Sequence, residues 1–369
     1  MIPVQPGLLL NPNLDWDQKK YLTENFFKFR DSGPQGSYWF ASSGSQGIPK
    51  LVCLTEAAMC ASANAVNQIM GLTSEDIFLN VLPKFHVGGL ATFFRAQELS
   101  SFVIDADPFG WDPIKFSKIC SDNQITVTSL VPTQIFDLVQ KQMISPKSLR
   151  CIFVGGAALN PDLYFAAVKL GWKLYPTFGM TEVASQIATA VSVSQDQYPQ
   201  LKILNHIQAQ VLDGLLMVRS AAVCEGYVEN ESWIPVDKHL GLKTSDQVLI
   251  DGGYLKPLGR SGETIKINGE LVSLFKLRNQ FEDVLDFAVT SLPDSRTGAK
   301  IIGVVGAADQ IAQAKTKIEA WNKSCMPLER IKKLVVLNGI PKSNLGKVLY
   351  SEITQTLITR KDITEIDLV

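Results

Sequence analysis

ITVTSLVPTQIFDLVQ (residues 125–140) and CIFVGGAALNPDLYFAAVKL (residues 151–170) decide the architecture. Each opens on a short apolar run and passes, at a proline, into a stretch with helical spacing. The spacing predicts strands over 125–130 and 151–154 and helices over 132–142 and 161–170. Asn160 is a natural N-cap for the second helix, with Pro161 at its first position. Strand followed by helix, repeated, argues for an α/β domain built on a largely parallel sheet.

Working outward, strands over 77–82 and 102–104 and a helix over 112–120 extend the same alternation. A helix over 57–69, rich in small residues, is expected to pack closely on the sheet. Past residue 200 short apolar segments at 207–212, 215–219 and 247–250 are separated by Asp213-Gly214 and Asp251-Gly252-Gly253. Those turns predict a small, mostly antiparallel β subdomain. Apolar residues at 271, 274, 277, 281, 284 and 285 have a helical period, so a helix is expected over 271–287. A strand over 301–305, a helix over 310–321 and a strand over 334–337 complete a compact α+β segment. The fold class is therefore α/β, with a large N-terminal domain over 1–259 and a small α+β C-terminal domain over 260–369. The boundary falls at Gly259-Arg260-Ser261-Gly262.

Composition narrows the function less than it narrows the fold. A chain of 369 residues, 46% of them hydrophobic, is long enough for about two domains with a sizeable core. The formal net charge of −1 gives no global pull toward nucleic acid or an anionic membrane. No run approaches the roughly 18 apolar residues of a spanning helix, and residues 1–10 lack the basic start of a secretory signal. The six cysteines have no CxxC spacing, which fits a reduced, cytoplasmic protein. Three histidines without i,i+3 or i,i+4 partners argue against a histidine-rich metal site, so any metal is expected to arrive with a substrate.

Five segments carry candidate chemistry. Ser42-Ser43-Gly44-Ser45-Gln46-Gly47-Ile48-Pro49-Lys50 follows an apolar strand and ends in a lysine. Glycines that free backbone N–H groups, hydroxyl donors and a point charge are what a polyphosphate requires. Alone, the segment reads equally as a polar turn, and it is not a Walker A loop, since no GK[ST] is present. Phe178-Gly179-Met180-Thr181-Glu182 offers a ring for a nucleobase and a carboxylate for a hard cation, or an ordinary strand-to-helix junction. Asp246 precedes a turn, Arg260 stands at the domain boundary, and Lys347 ends Pro341-Lys342-Ser343-Asn344-Leu345-Gly346-Lys347. Each of these three is weak by itself.

Taken in order, the five segments resemble the acyl-adenylate-forming family, which includes acyl- and aryl-CoA ligases and the adenylation domains of peptide synthetases. The resemblance covers residues 38–350. It implies ATP and Mg²⁺ as cofactors, a small carboxylic acid and coenzyme A as substrates, and a mobile C-terminal domain. It also implies roles: Ser42, Ser43, Gly44, Ser45, Gln46, Gly47 and Lys50 for the phosphates, and Gly156, Ala157 and Phe178 beside the adenine. Thr181 would meet phosphate, Glu182 the metal, Asp246 and Arg260 the ribose, and Lys347 the reacting carboxylate. Gly262 would be the hinge. A finer resemblance, through Leu82-Pro83-Lys84-Phe85-His86-Val87-Gly88-Gly89-Leu90, Arg95 and Ser129-Leu130-Val131-Pro132-Thr133-Gln134, points to the branch activating o-succinylbenzoate. It assigns His86, Gly88, Arg95, Ser129 and Thr133 to the acid. The plainer reading of Arg95 is a helix arginine paired with Glu98. Other readings are a different acid, a carrier-protein thiol as acceptor, or a non-catalytic nucleotide-binding protein.

The chain departs from the family at three places. Ser45-Gln46 stands where two threonines are usual, and Gly262 where an acidic residue or lysine is usual. The phosphate loop begins only about forty residues in, which implies an abbreviated N-terminal region and an apolar surface that a homodimer could cover.

Overall fold

Asn160 does what its position predicts: its side-chain oxygen accepts from the N–H groups of Asp162 (2.7 Å) and Leu163 (3.4 Å), capping the helix Pro161–Lys169. The computed structural model describes residues 2–14, 16–42, 50–107, 110–261, 264–267, 270–294, 296–343, 346–359 and 364–368. It divides the chain into two compact units, 1–244 with 249–256, and 245–248 with 257–369.

In the first unit the strands Ile77–Asn80, Phe102–Asp105, Val127–Leu130, Cys151–Val154 and Leu174–Met180 pair in parallel. Val127–Leu130 and Cys151–Val154 are buried at every position, as strands covered on both faces must be. The helices Pro113–Asp122, Pro132–Gln140 and Pro161–Lys169 close one core with them around Phe116, Tyr164 and Trp172. Burying side chains of this size contributes about 1.5–3 kcal/mol each. The Trp172 indole N–H is satisfied by the Met143 carbonyl at 2.8 Å. Thus the α/β class stands as expected, and the parallel pairing holds for these five strands.

The sheet continues antiparallel through Ser185–Thr189, Leu201–Ile203, Tyr254–Arg260 and Asp246–Asp251, making nine strands. This corrects one expectation. The turn at 251–253 does join two strands, but they extend the large sheet rather than the small subdomain, because a hairpin signal is local and its choice of sheet is not. The small subdomain is the three-stranded sheet Gln208–Leu212, Leu215–Arg219 and Leu242–Lys243, turned at Asp213-Gly214. A second correction concerns the helix Glu56–Ile69: its main neighbour is the helix Val87–Glu98, and it touches the sheet less. A further sheet, absent from the sequence reading, orders Gly7–Leu9, Tyr38–Ser42, Lys50–Leu54, Gly226–Glu229 and Ser232–Pro235.

In the second unit, Phe287–Asp294, Gly298–Val305, Lys333–Val336 and Thr364–Asp367 form a four-stranded sheet. The helices Ile311–Ser324 and Tyr350–Thr359 pack on it. The helix expected over 271–287 is not there as such. Glu270–Ser273 pairs with Thr264–Ile267, only Leu274–Asn279 is α-helical, and Asp286 at φ 47° turns the chain into the next strand. Leu285, counted on the apolar stripe, is 51% exposed. The period was right over one turn and a half; strand pairing took 271–273, and successive turns took 280–286.

Candidate active site

The hairpin Tyr38–Ser42/Lys50–Leu54 ends with Ser42 directly opposite Lys50, so the glycine- and serine-rich loop is tied at both ends. Ser43, Gly44, Ser45, Gln46 and Gly47 lie outside the described residues. Among the described residues the buried Ser42 hydroxyl oxygen has no hydrogen-bond partner, a polar group available to a ligand. Lys50 forms an ion pair with Glu182, both largely buried, and its ammonium lies 4.7 Å above the centre of the Tyr227 ring. The strand Gly226–Glu229 brings that ring in, with Tyr227 opposite Val52.

Glu182 is presented by a tight turn. The strand Leu174–Met180 runs into a single 3₁₀ turn, Thr181–Val183, after which Ala184 at φ 47° reverses the chain into Ser185–Thr189. The two strands come so close that a Cβ on Gly179 would sit 1.7 Å from the Ser185 carbonyl oxygen. Glycine is therefore a packing requirement there. The Glu182 carbonyl accepts from the Cys224 N–H at 2.9 Å, fixing the turn from behind. On the neighbouring strand, Gly156 (φ 82°) and Ala157 are exposed just beyond Cys151–Val154. The pairing of Val154 with Pro176 places them at the same sheet end as the half-buried Phe178.

Among the described residues no group of three His, Cys, Asp or Glu side chains converges on a metal position. The one carboxylate of the turn already holds a cation, the Lys50 ammonium. A donor set of one carboxylate beside hydroxyls fits Mg²⁺, which retains waters and is bound through one or two carboxylates together with substrate phosphates.

The helix Val87–Glu98 supplies a second cluster. Gly88, Thr92 and Arg95 fall on one helical stripe, at i, i+4 and i+7. Arg95 is 2% exposed, its guanidinium reaches the Ser129 hydroxyl at 3.4 Å and lies 4.9 Å from the Phe153 ring centre, and its Nε has no partner among the described residues. Among the described residues it forms no ion pair. The expected Glu98 partner is engaged instead by the Asn64 amide. Burial pulls the guanidinium down from 12.5 to about 10, so it remains charged at neutral pH. The Thr92 hydroxyl, one turn before Arg95, is buried and likewise unpartnered among the described residues; sequence reading missed it, although the i−3 spacing from Arg95 was there to find. Thr133 is exposed at the start of Pro132–Gln140, and His86 is the N-cap residue of Val87–Glu98, its Nε2 buried without a partner.

His86 and His206 behave alike. Burial drives each imidazole from 6.5 down to about 4, Asp107 opposing this slightly at His86. The unfolded chain takes up protons near pH 6.5 and the folded chain only near 4, so acid favours unfolding across that interval. Stability is expected to fall as pH drops from 6.5 to 4, by at most about 1.4 kcal/mol per pH unit for each histidine. Urea titrations at stepped pH check this: His206→Phe should flatten the slope, and an unchanged slope would contradict it.

In the second unit the two residues assigned to ribose are together. Arg260 Nε donates to Asp246 Oδ1 at 2.9 Å, with Asp246 buried. Gly262 lies outside the described residues. Lys347 is exposed on a loop closed by its own backbone: the Ser343 N–H donates to the Lys347 carbonyl at 2.7 Å, and the Lys347 N–H to the Ser343 hydroxyl at 3.2 Å.

The sequence profile of the family described as AMP-binding enzyme matches residues 30–228, more than half of the chain. A 2-succinylbenzoate–CoA ligase from Bacillus cytotoxicus is 27% identical over 335 residues, 86% of this chain and 69% of the relative. The fold is similar to an o-succinylbenzoate CoA synthetase from Bacillus subtilis in complex with the acyl-adenylate intermediate OSB-AMP. That similarity has a TM-score of 0.78 at 20% identity, covering 94% of this chain and 82% of that one. The Bacillus subtilis synthetase in complex with ATP and magnesium ion gives 0.72 at 22% identity, over 85% and 69% of the two chains.

Proposed function

The chain belongs to the AMP-binding enzyme family, and on that premise we propose that it is an ATP-dependent acid–thiol ligase whose acid is o-succinylbenzoate and whose thiol is coenzyme A. In the first half-reaction a carboxylate oxygen attacks the α-phosphorus of ATP, giving acyl-AMP and pyrophosphate. In the second, the thiol sulfur attacks the acyl carbon and AMP leaves. Such a sequence suits a cytoplasmic setting, in keeping with six free cysteines.

Joining two anions is the physical difficulty, so cationic groups aimed at the reacting atoms should dominate the rate. Ser42 and the loop that ends at Lys50 bind the phosphates in this reading, and Thr181 and Glu182 orient them. Glu182 would hold Mg²⁺, which supplies charge neutralisation on the leaving pyrophosphate. Asp246 and Arg260 hold the ribose. Lys347 brings an ammonium to the carboxylate and α-phosphate, and rotation of the 260–369 domain about Gly262 exchanges it for the thiol path, excluding water from a hydrolysable intermediate.

One observation carries the choice of acid: Arg95 is buried, charged and without a carboxylate partner among the described residues. A planar guanidinium in that state matches the second carboxylate of an aromatic dicarboxylic acid, whereas a plain fatty acid has nothing to pair with it. His86, Gly88, Ser129 and Thr133 complete the acid pocket. The test is pyrophosphate release with ATP, magnesium and a panel of acids, with and without coenzyme A. Release should require o-succinylbenzoate, and a thioester should form only when coenzyme A is present. Release with a monocarboxylic acid but none with o-succinylbenzoate would refute the acid, and thioester formation only on a carrier protein would refute the acceptor.

A further inference from the structure

Apart from the candidate active site, the first unit holds an open pocket of about 420 Å³ on the small β subdomain. Its wall is made of Arg219, Lys238, Gln208, Ser220 and the two histidines His206 and His239, with no carboxylate among its described lining residues. It shares no residue with the surroundings of Lys50, Glu182 or Arg95. We propose that this pocket is a second anion site, built to receive a phosphate group carried by a small molecule.

The side chains are held in a way that leaves donors over. Arg219 Nε donates to the Leu240 carbonyl at 3.1 Å, which anchors the guanidinium while its two terminal nitrogens have no protein partner among the described residues. That anchor depends on a close approach. Gly241 (φ 91°) lies against Arg219, and a Cβ there would be 2.7 Å from Arg219 Cγ and 2.9 Å from the Val218 carbonyl oxygen. Lys238 is tethered by Glu225 through one N–H and keeps two others. The Ser220 hydroxyl accepts from the Ala222 N–H at 3.0 Å, so its own proton remains to donate. The Gln208 amide adds N–H groups. Burial keeps the His206 imidazole neutral, and among the described residues both its ring nitrogens are buried without partners, so it contributes wall rather than charge.

A fork of guanidinium donors, an ammonium, a hydroxyl and an amide on residues lining one space offers a tetrahedral anion more donors than a planar carboxylate can use. The volume exceeds a bare phosphate and leaves room for what carries it. Two sources share this chemistry: free phosphate or pyrophosphate, and the phosphate of a nucleotide such as the 3′-phosphate of coenzyme A. The proposal does not depend on the adenylation chemistry above, since binding is read without turnover.

The experiment is calorimetric titration of the full chain with inorganic phosphate, pyrophosphate, coenzyme A and 3′-dephospho-coenzyme A. At least one phosphate probe should bind saturably to the wild type. Arg219→Gln and Lys238→Gln should each weaken that binding tenfold or more, while Arg219→Lys retains most of it. Lys243→Gln, whose exposed side chain pairs with Asp213 outside the pocket, should leave it unchanged. Preference for coenzyme A over its dephospho form assigns the nucleotide source, and equal binding of the inorganic probes assigns the free anion. Near-UV circular dichroism confirms that each variant is folded. No saturable binding of any probe at millimolar concentration, or wild-type affinity in folded Arg219→Gln and Lys238→Gln, overturns the proposal.

Discussion

Lys347→Ala is expected to slow acyl-AMP formation by about 100-fold or more, the scale on which one preorganised charge at a reacting centre matters. Thiolation of preformed acyl-AMP should proceed at close to the wild-type rate. The split follows from the chemistry. The first step presses a carboxylate against an anionic phosphorus, and the second starts from a neutral acyl carbon and a good leaving group. Lys347 is suited to a part-time role, being exposed on a short loop that its own backbone bonds to Ser343 keep in shape. Single-turnover measurement of both half-reactions decides the matter. Equal losses in the two would remove Lys347 from the adenylation step, and no loss in either would remove it from the mechanism.

Arg95→Met should produce opposite changes in activity and stability. The ratio kcat/KM for o-succinylbenzoate is expected to fall about 100-fold or more, since a buried charged contact of this kind is worth several kcal/mol once one partner is gone. Activity with an aromatic acid lacking the second carboxylate should change little. The folded chain should meanwhile become more stable, by about 1–2 kcal/mol. A charge with an unpartnered Nε in the interior is costly, and methionine of similar length fills the space without it. Thermal unfolding and the two kinetic constants together form the check. A variant that loses stability along with activity would show Arg95 to be structural.

Much of the fold is legible in the sequence. The strand Cys151–Val154 and the helix capped by Asn160 are local statements, an unbroken apolar run and a side chain that reaches its own helix, and both are as the sequence predicts. What escaped was non-local. The helix Val87–Glu98 opens with Gly88-Gly89, poor helix formers, so its stripe of Gly88, Thr92 and Arg95 was not recognised as one face. The segment 271–287 has a helical period, yet its first residues pair with 264–267 instead. Nothing near Lys50 in sequence announces Glu182 or Tyr227; strand pairing delivers Tyr227, and the 3₁₀ turn Thr181–Val183 delivers Glu182. Likewise Arg95 has a carboxylate three residues away in sequence, and only the packing shows that Asn64 takes it.

The contact between Lys50 and Glu182 has an operational meaning. With Glu182 as the proposed magnesium ligand, the Lys50 ammonium already seated on its carboxylate would keep stray divalent ions out. Nucleotide phosphates would compete for Lys50 and so free Glu182 to hold the cation they bring, and metal and nucleotide would be taken up together rather than one after the other.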